Sequence, residues 1–205
     1  MNRIHTLCAA LILSAVTGCQ FDAGYSGSDQ TIPSYPSYPP LTGTFDTSAR
    51  VATCGVSAIP RNRLATALQA AGYGAGGGAT DGSSVTLVKP DLMVDVLWTE
   101  CDQHITQGGG RYNIYHTCHM AVRVRKPMTA ECGKAPCVDH GQTFEVWAMT
   151  SGTKYVGYKI VNGQYVMRDG KMVLDFPEDV EQGLVDKACA NLLNIEGFRR
   201  ALERK

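Results

Sequence analysis

The chain has 205 residues, 44% apolar and 19% charged, and its 19 basic side chains balance 19 acidic ones. That length suits one domain with extensions, and the balance excludes the basic excess with which nucleic-acid binders neutralise phosphates. After the start, no apolar run reaches the roughly 18 residues that a membrane-spanning helix needs. Eight cysteines are many for a reducing compartment and point to an oxidising one.

Residues 1–18 carry Arg3, an apolar stretch from Leu7 to Val16 and then small residues, the pattern of a secretory signal too short to remain as a span. They lead into Val16-Thr17-Gly18-Cys19, an apolar residue, two small ones and a cysteine. This tetrad resembles the lipobox of bacterial lipoproteins. The resemblance implies that the Cys19 thiol takes a diacylglycerol, that the chain is cleaved before it, and that the freed amine is acylated. Gln20 stands where inner-membrane lipoproteins have Asp, which implies the periplasmic face of the outer membrane. Two or three acyl chains hold a protein on a bilayer, since each buried methylene contributes about 0.8 kcal/mol. The lipid on Cys19 is the only cofactor expected, and the bilayer is the first expected partner.

Residues 19–46 follow Cys19 with a stretch rich in Pro, Ser, Tyr and Gly, including Pro33-Ser34-Tyr35-Pro36-Ser37-Tyr38-Pro39-Pro40. Nothing in it has helical or alternating periodicity, and its prolines favour extended polyproline II. The segment reads as a spacer whose reach, at about 3 Å per residue, is on the order of 80 Å. The alternative is that the Tyr-Pro repeat is a recognition peptide for an aromatic-lined groove.

Residues 47–205 read as a single periplasmic domain. Pro60 opens a helix over 60–72, in which Leu64, Ala67, Leu68 and Ala71 recur at helical spacing. Gly74 to Gly78 reads as a flexible loop, and Val85 to Val88 as a short strand. Leu92 to Cys101 and Tyr112 to Arg125 form a hairpin about Gly108-Gly109-Gly110, and Thr143 to Thr150 adds a third strand. Asn162-Gly163 and Asp169-Gly170 mark tight turns between the pieces 155–161, 164–167 and 171–176. Pro177 then opens a helix with Glu178, Asp179 and Glu181 in its first turn and an apolar stripe from Val180 to Leu192. A short last helix is expected over 196–203. The expected fold is α+β: an antiparallel sheet of about four to six strands, with an N-terminal and a C-terminal helix on one face, stapled by disulfides.

With Cys8 lost and Cys19 alkylated, Cys54, Cys101, Cys118, Cys132, Cys137 and Cys189 remain. Six cysteines allow fifteen pairings, and topology narrows them. A hairpin centred between Gly109 and Gly110 places Cys101 opposite Cys118. Cys132 and Cys137 bracket a tight turn, which leaves Cys54 to pair with Cys189.

The densest set of metal-ligand types is Cys101, Asp102 and His104 with His116, Cys118 and His119. In the facing register His104 and His119 project away from the cysteines while His116 shares their face, so one ion cannot take them all. Thr117-Cys118-His119 lacks the first cysteine of a covalent haem site. Ser151-Gly152-Thr153-Lys154 matches the Ser-x-x-Lys of penicillin-binding enzymes but lacks a following Lys-Thr-Gly. Glu100 and Asp102 read as a solvated sheet face, and no catalytic residue is assigned. Trp98 and Trp147 read as packing in or beside the core, and the candidate interaction surface is a sheet edge or the exposed face near them, because an exposed aromatic suits a partner or a sugar.

The tetrad, the Pro-rich segment and a compact domain with a strand beginning Pro90-Asp91-Leu92-Met93-Val94-Asp95-Val96 are together similar to small envelope lipoproteins. More distantly the chain resembles the outer-membrane lipoprotein activators of penicillin-binding proteins, from which the six cysteines depart. The resulting expectation is a non-enzymatic lipoprotein that docks onto an envelope protein or the cell wall. The alternative is a small-ligand, glycan or peptidoglycan-binding lipoprotein.

Overall fold

A computed structural model describes residues 34–55, 57–77, 90–108, 111–127, 141–152 and 154–203. Its centre is a five-stranded sheet made of β1 (Arg50–Gly55), β2 (Gly74–Gly77), β3 (Leu92–Gly108), β4 (Arg111–Arg125) and β5 (Gln142–Gly152), in the order β2-β1-β3-β4-β5. The sheet is mixed, which corrects the all-antiparallel expectation: β1 runs parallel to both β2 and β3, while β3, β4 and β5 are antiparallel neighbours. Helix α1 (Ala58–Ala70) carries the chain from β1 over to its parallel neighbour β2.

The glycine run expected to be a loop is strand β2, paired from Arg50 opposite Gly74 to Thr53 opposite Gly77. Four small residues give no alternating pattern, so this strand rests on its backbone pairing. The Gln69 side-chain amide adds a hydrogen bond to the Ala75 carbonyl. The expected strand at 85–88 and the turn holding Cys132 and Cys137 lie outside the described residues.

The hairpin register is the one its glycine centre predicts: Cys101 lies opposite Cys118, and the pairing continues to Gly108 opposite Arg111. A bulge at Leu97 shifts it, since Val96 pairs with Val122 but Trp98 pairs with Ala121. Val94 and Val96 before the bulge, and Thr99 and Cys101 after it, therefore share one face. Asp95, Trp98 and Glu100 share the other.

The three helices among the described residues lie on the first of these faces. Leu64 and Leu68 of α1, Leu184, Val185, Ala188 and Leu192 of α2 (Glu178–Leu193), and Phe198 of α3 (Glu196–Ala201) join Val94, Met120, Val122 and Val146 in one buried core. The expected acidic first turn of α2 is present, at the end where the helix dipole favours negative charge.

Among the described residues no disulfide staples the structure. Cys54, Cys101, Cys118 and Cys189 are free thiols. Cys101 and Cys118 meet as thiols across the hairpin, and that contact, with burial, drives the Cys101 pKa up. The pairing of Cys54 with Cys189 is corrected by the alternation of β1. Cys54 stands opposite Asp95 on the face without helices, whereas Cys189 is in the core on the other side, its thiol pushed up to about 12 by burial. A disulfide cannot reach across a sheet.

Between β5 and α2 the chain builds a small second unit. Strands β6 (Ile160–Val161) and β7 (Gln164–Tyr165) pair, as do β8 (Met167–Arg168) and β9 (Lys171–Met172). Tyr158 bridges to Leu174, so the three pieces close into a ring. The backbone bonds are cyclic as well: Lys159 N–H donates to the Val173 carbonyl, Val173 to Val166, and Val166 to Lys159. The two turns have positive φ at Asn162, Gly163, Asp169 and Gly170, as their sequences predict. Gln103 fastens one end of this crown through two hydrogen bonds to the backbone of Val156. Phe176 fastens the other by packing edge-on against the His116 ring, at 5.2 Å. His116 in turn leaves no room for a side chain at position 152, since a Cβ there would lie 2.7 Å from the ring.

Candidate functional site: the uncovered sheet face

The face of the sheet away from the helices carries the aromatic residues singled out in the sequence. Trp98 is on β3 and Trp147 on β5, and His119 of β4 lies between them. The Trp98 and His119 rings meet edge to face at 4.3 Å, while His119 stacks on Trp147 at 3.3 Å with 15° between planes. The His119 Nε2–H donates to Glu145 Oε2 at 3.1 Å, which fixes the neutral tautomer. Trp98 ends the stack and is 39% exposed, with the exposed carboxylates of Glu100 and Glu145 nearby on the same face.

The Tyr-Pro segment reaches this surface. Tyr35 lies 5.3 Å from the Trp147 ring, and its hydroxyl is 3.0 Å from His104 Nε2. Burial raises the pKa of this phenol. Tyr38 receives the Trp147 backbone N–H on its hydroxyl at 3.1 Å, and Phe45 lies under the Arg199 and Arg200 guanidiniums. From residue 34 onward the expected spacer therefore runs along the domain. The reading from periodicity missed this because isolated aromatics in a proline-rich stretch form no pattern; two tyrosines three residues apart were the available signal.

The outer edge of β5 is occupied at several positions. Asn191 Nδ2 donates to the Trp147 carbonyl and Lys187 Nζ to the Met149 carbonyl, both at 2.7 Å. Side chains thus take backbone groups that an added strand would need, which leaves the face as the better surface for a partner.

At the opposite end of the same face Asp95 joins two arginines. Arg125 binds it through Nε to Oδ2 at 2.6 Å and Nη2 to Oδ1 at 3.2 Å, and Arg123 Nη2 approaches at 3.4 Å. Cys54 sits beside this cluster with its pKa raised by burial and then by Asp95. The ligand-type residues divide as their register requires: His104 and His119 lie on this face, and Cys101, His116 and Cys118 on the helix side. Ser151 is exposed in β5, and Thr153 of the Ser-x-x-Lys match lies outside the described residues.

No protein-family model matches the chain, and no curated protein matches it.

His119 gives the stack a predicted pH response. Burial lowers its pKa more than Glu145 raises it. A histidine held below its ordinary value contributes stability that is full above pH 6.5 and is lost as pH falls through the lowered value. The unchanged chain should therefore lose more stability than His119→Phe, which keeps a stacked ring, when urea midpoints are compared above and below pH 6.5. Parallel curves for the two proteins would show that His119 stays unlinked to folding.

Proposed function

We propose that this protein is a lipid-anchored envelope lipoprotein, held by Cys19 on the periplasmic face of the outer membrane, that acts without catalysis as a docking module. The carrying observation is the Trp98–His119–Trp147 stack on the sheet face that the described helices leave free. Helices bury the other side of the sheet, so a large exposed indole here is a surface feature. The chain's own Tyr-Pro segment occupies the Trp147 end and leaves Trp98 open. The partner is an envelope protein presenting an extended segment, and basic residues in it would meet Glu100 and Glu145. In an oxidising compartment the facing thiols of Cys101 and Cys118 would close a cross-strand disulfide.

The test places a photoreactive residue at Trp98, or at exposed Glu178 of α2 as a control, in the full-length chain in living cells. One partner captured from position 98 only, and lost in Cys19→Ala, is the expected result. Equal capture from both positions, or none, would overturn the docking surface. Non-reducing peptide mapping of the same material should recover Cys101 linked to Cys118.

A glycan or peptidoglycan role is the second reading, favoured by the same exposed indole beside carboxylates. Quenching of tryptophan fluorescence by soluble cell-wall fragments, abolished in Trp98→Ala, would select it over a protein partner.

A further inference from the structure

The uncovered face already holds a ligand, the chain's own Tyr-Pro segment. That segment contains one triplet twice, as Pro33-Ser34-Tyr35 and Pro36-Ser37-Tyr38. An extended proline-rich chain has three residues per turn, so side chains three apart share a side. Tyr35 and Tyr38 both reach β5 and are half-buried, while Ser34, Pro36, Ser37, Pro39 and Pro40 are exposed.

The socket for Tyr35 draws on three strands. Trp147 of β5 supplies a ring at 5.3 Å, His104 of β3 a nitrogen 3.0 Å from the phenol hydroxyl, and Thr117 of β4 a side-chain hydrogen bond. Thr117 is 2% exposed although its face carries none of the described helices, and the phenol bonded to it is part of its cover. Tyr38 makes a second contact through backbone groups. Its hydroxyl accepts the Trp147 N–H at 3.1 Å, and its carbonyl accepts Asn194 Nδ2 at 3.2 Å. An aromatic-lined groove that takes an extended proline-rich chain at regular intervals is a recurring mode of peptide recognition.

This occupant can leave while the domain stays folded. Residues 34–40 belong to none of the described strands. Beyond them the chain stays anchored by Phe45, 4.8 Å from the Arg199 guanidinium, and by fully buried Ala49. Between Tyr38 and Phe45 lies Gly43, whose φ of 135° and empty surroundings give an unobstructed bend. Trp98 stays 39% exposed with the segment in place. A short flexible tether gives the cis segment an effective concentration on the order of millimolar. A ligand in trans prevails over it by filling the same socket and also covering Trp98.

We propose that the socket of Trp147, His104 and Thr117 is a binding site for a tyrosine-bearing, proline-rich segment of a partner, and that residues 34–38 are its resident ligand in cis, released when the partner binds. The inference rests on the docking reading of this face and names the chemistry of what docks.

The experiment uses the full chain with 3-fluorotyrosine at position 35, observed by fluorine NMR and titrated with a peptide of the sequence 33–40. The resonance is expected to move to its position in a free peptide, with half of the change in the millimolar range. The same peptide with both tyrosines replaced by alanine should leave it in place. Tyr38→Ala in the chain, its fold checked by circular dichroism, weakens only the cis ligand and should lower the peptide concentration needed by about tenfold. No movement up to about 10 mM peptide, or equal movement with the alanine peptide, would overturn the proposal. So would movement on dilution without peptide, which would assign the bound segment to a second copy of the chain. Capture from position 98 in cells is read separately: capture without displacement would retire this socket and leave the docking face, and displacement without capture would do the reverse.

Discussion

Phe198→Ala is expected to destabilise the domain by about 3–5 kcal/mol, read as a lowered urea midpoint with an unchanged slope. Phe198 is fully buried and meets Phe144 edge to face at 5.4 Å. It is the buried residue of the short helix α3, so it ties the end of the chain to β5. Removing the ring leaves a cavity between two elements that cannot both collapse into it, and the lost aromatic contact adds to the lost burial. Phe198→Leu refills much of the volume and should recover about half of the loss or more. A cost below about 1 kcal/mol for the alanine variant would mean that α3 is not part of the cooperative core.

Asp95→Ala is the second large effect, expected at about 2–4 kcal/mol. Removing one member of a buried ion cluster typically costs about 3–5 kcal/mol, because the partner charge is left without compensation. Here the Asp95 side chain is 13% exposed and those of Arg123 and Arg125 are 28% and 23% exposed, so water relieves part of that cost. Asp95→Asn keeps the volume and one acceptor and should fall between the unchanged chain and the alanine variant. The substitution has a second readout at Cys54. Asp95 helps hold that thiol protonated while Arg125 acts the other way, so removing the carboxylate should speed alkylation of Cys54 by iodoacetamide near neutral pH. Unchanged alkylation together with unchanged stability would show that the cluster is only a surface pairing.

How much of this was legible in the sequence follows from how local each signal is. The turns at Asn162-Gly163 and Asp169-Gly170 and the register of Cys101 with Cys118 depend on a few adjacent residues, and the structure has them. The stripe of α2 is equally local, since Leu184, Val185, Ala188 and Leu192 are placed by helical spacing alone. The parallel pairing of β1 with β2 and β3 is non-local: nothing within Arg50–Gly55 records its neighbours, and the glycines of β2 carry no side-chain pattern. Sequence left Trp98 and Trp147 between the core and an interaction surface, because the bulge at Leu97 shifts the alternation of β3 and the intervening His119 decides how they meet. Closure of the crown was hidden for a different reason. Its strand pieces are two residues long, and apolar alternation ordinarily signals a buried face, whereas here it marks an exposed one.

That closure has a consequence for how the protein behaves in a crowded compartment. An open ribbon with the same outward side chains would also offer free amides and carbonyls, and another molecule could continue it as an additional strand. In the ring each piece already has a neighbour on both sides, by way of Tyr158 with Leu174, Ile160 with Tyr165 and Met167 with Met172. Adhesiveness is thereby uncoupled from polymerisation: the crown keeps greasy side chains on display while withholding the backbone template on which fibrils grow.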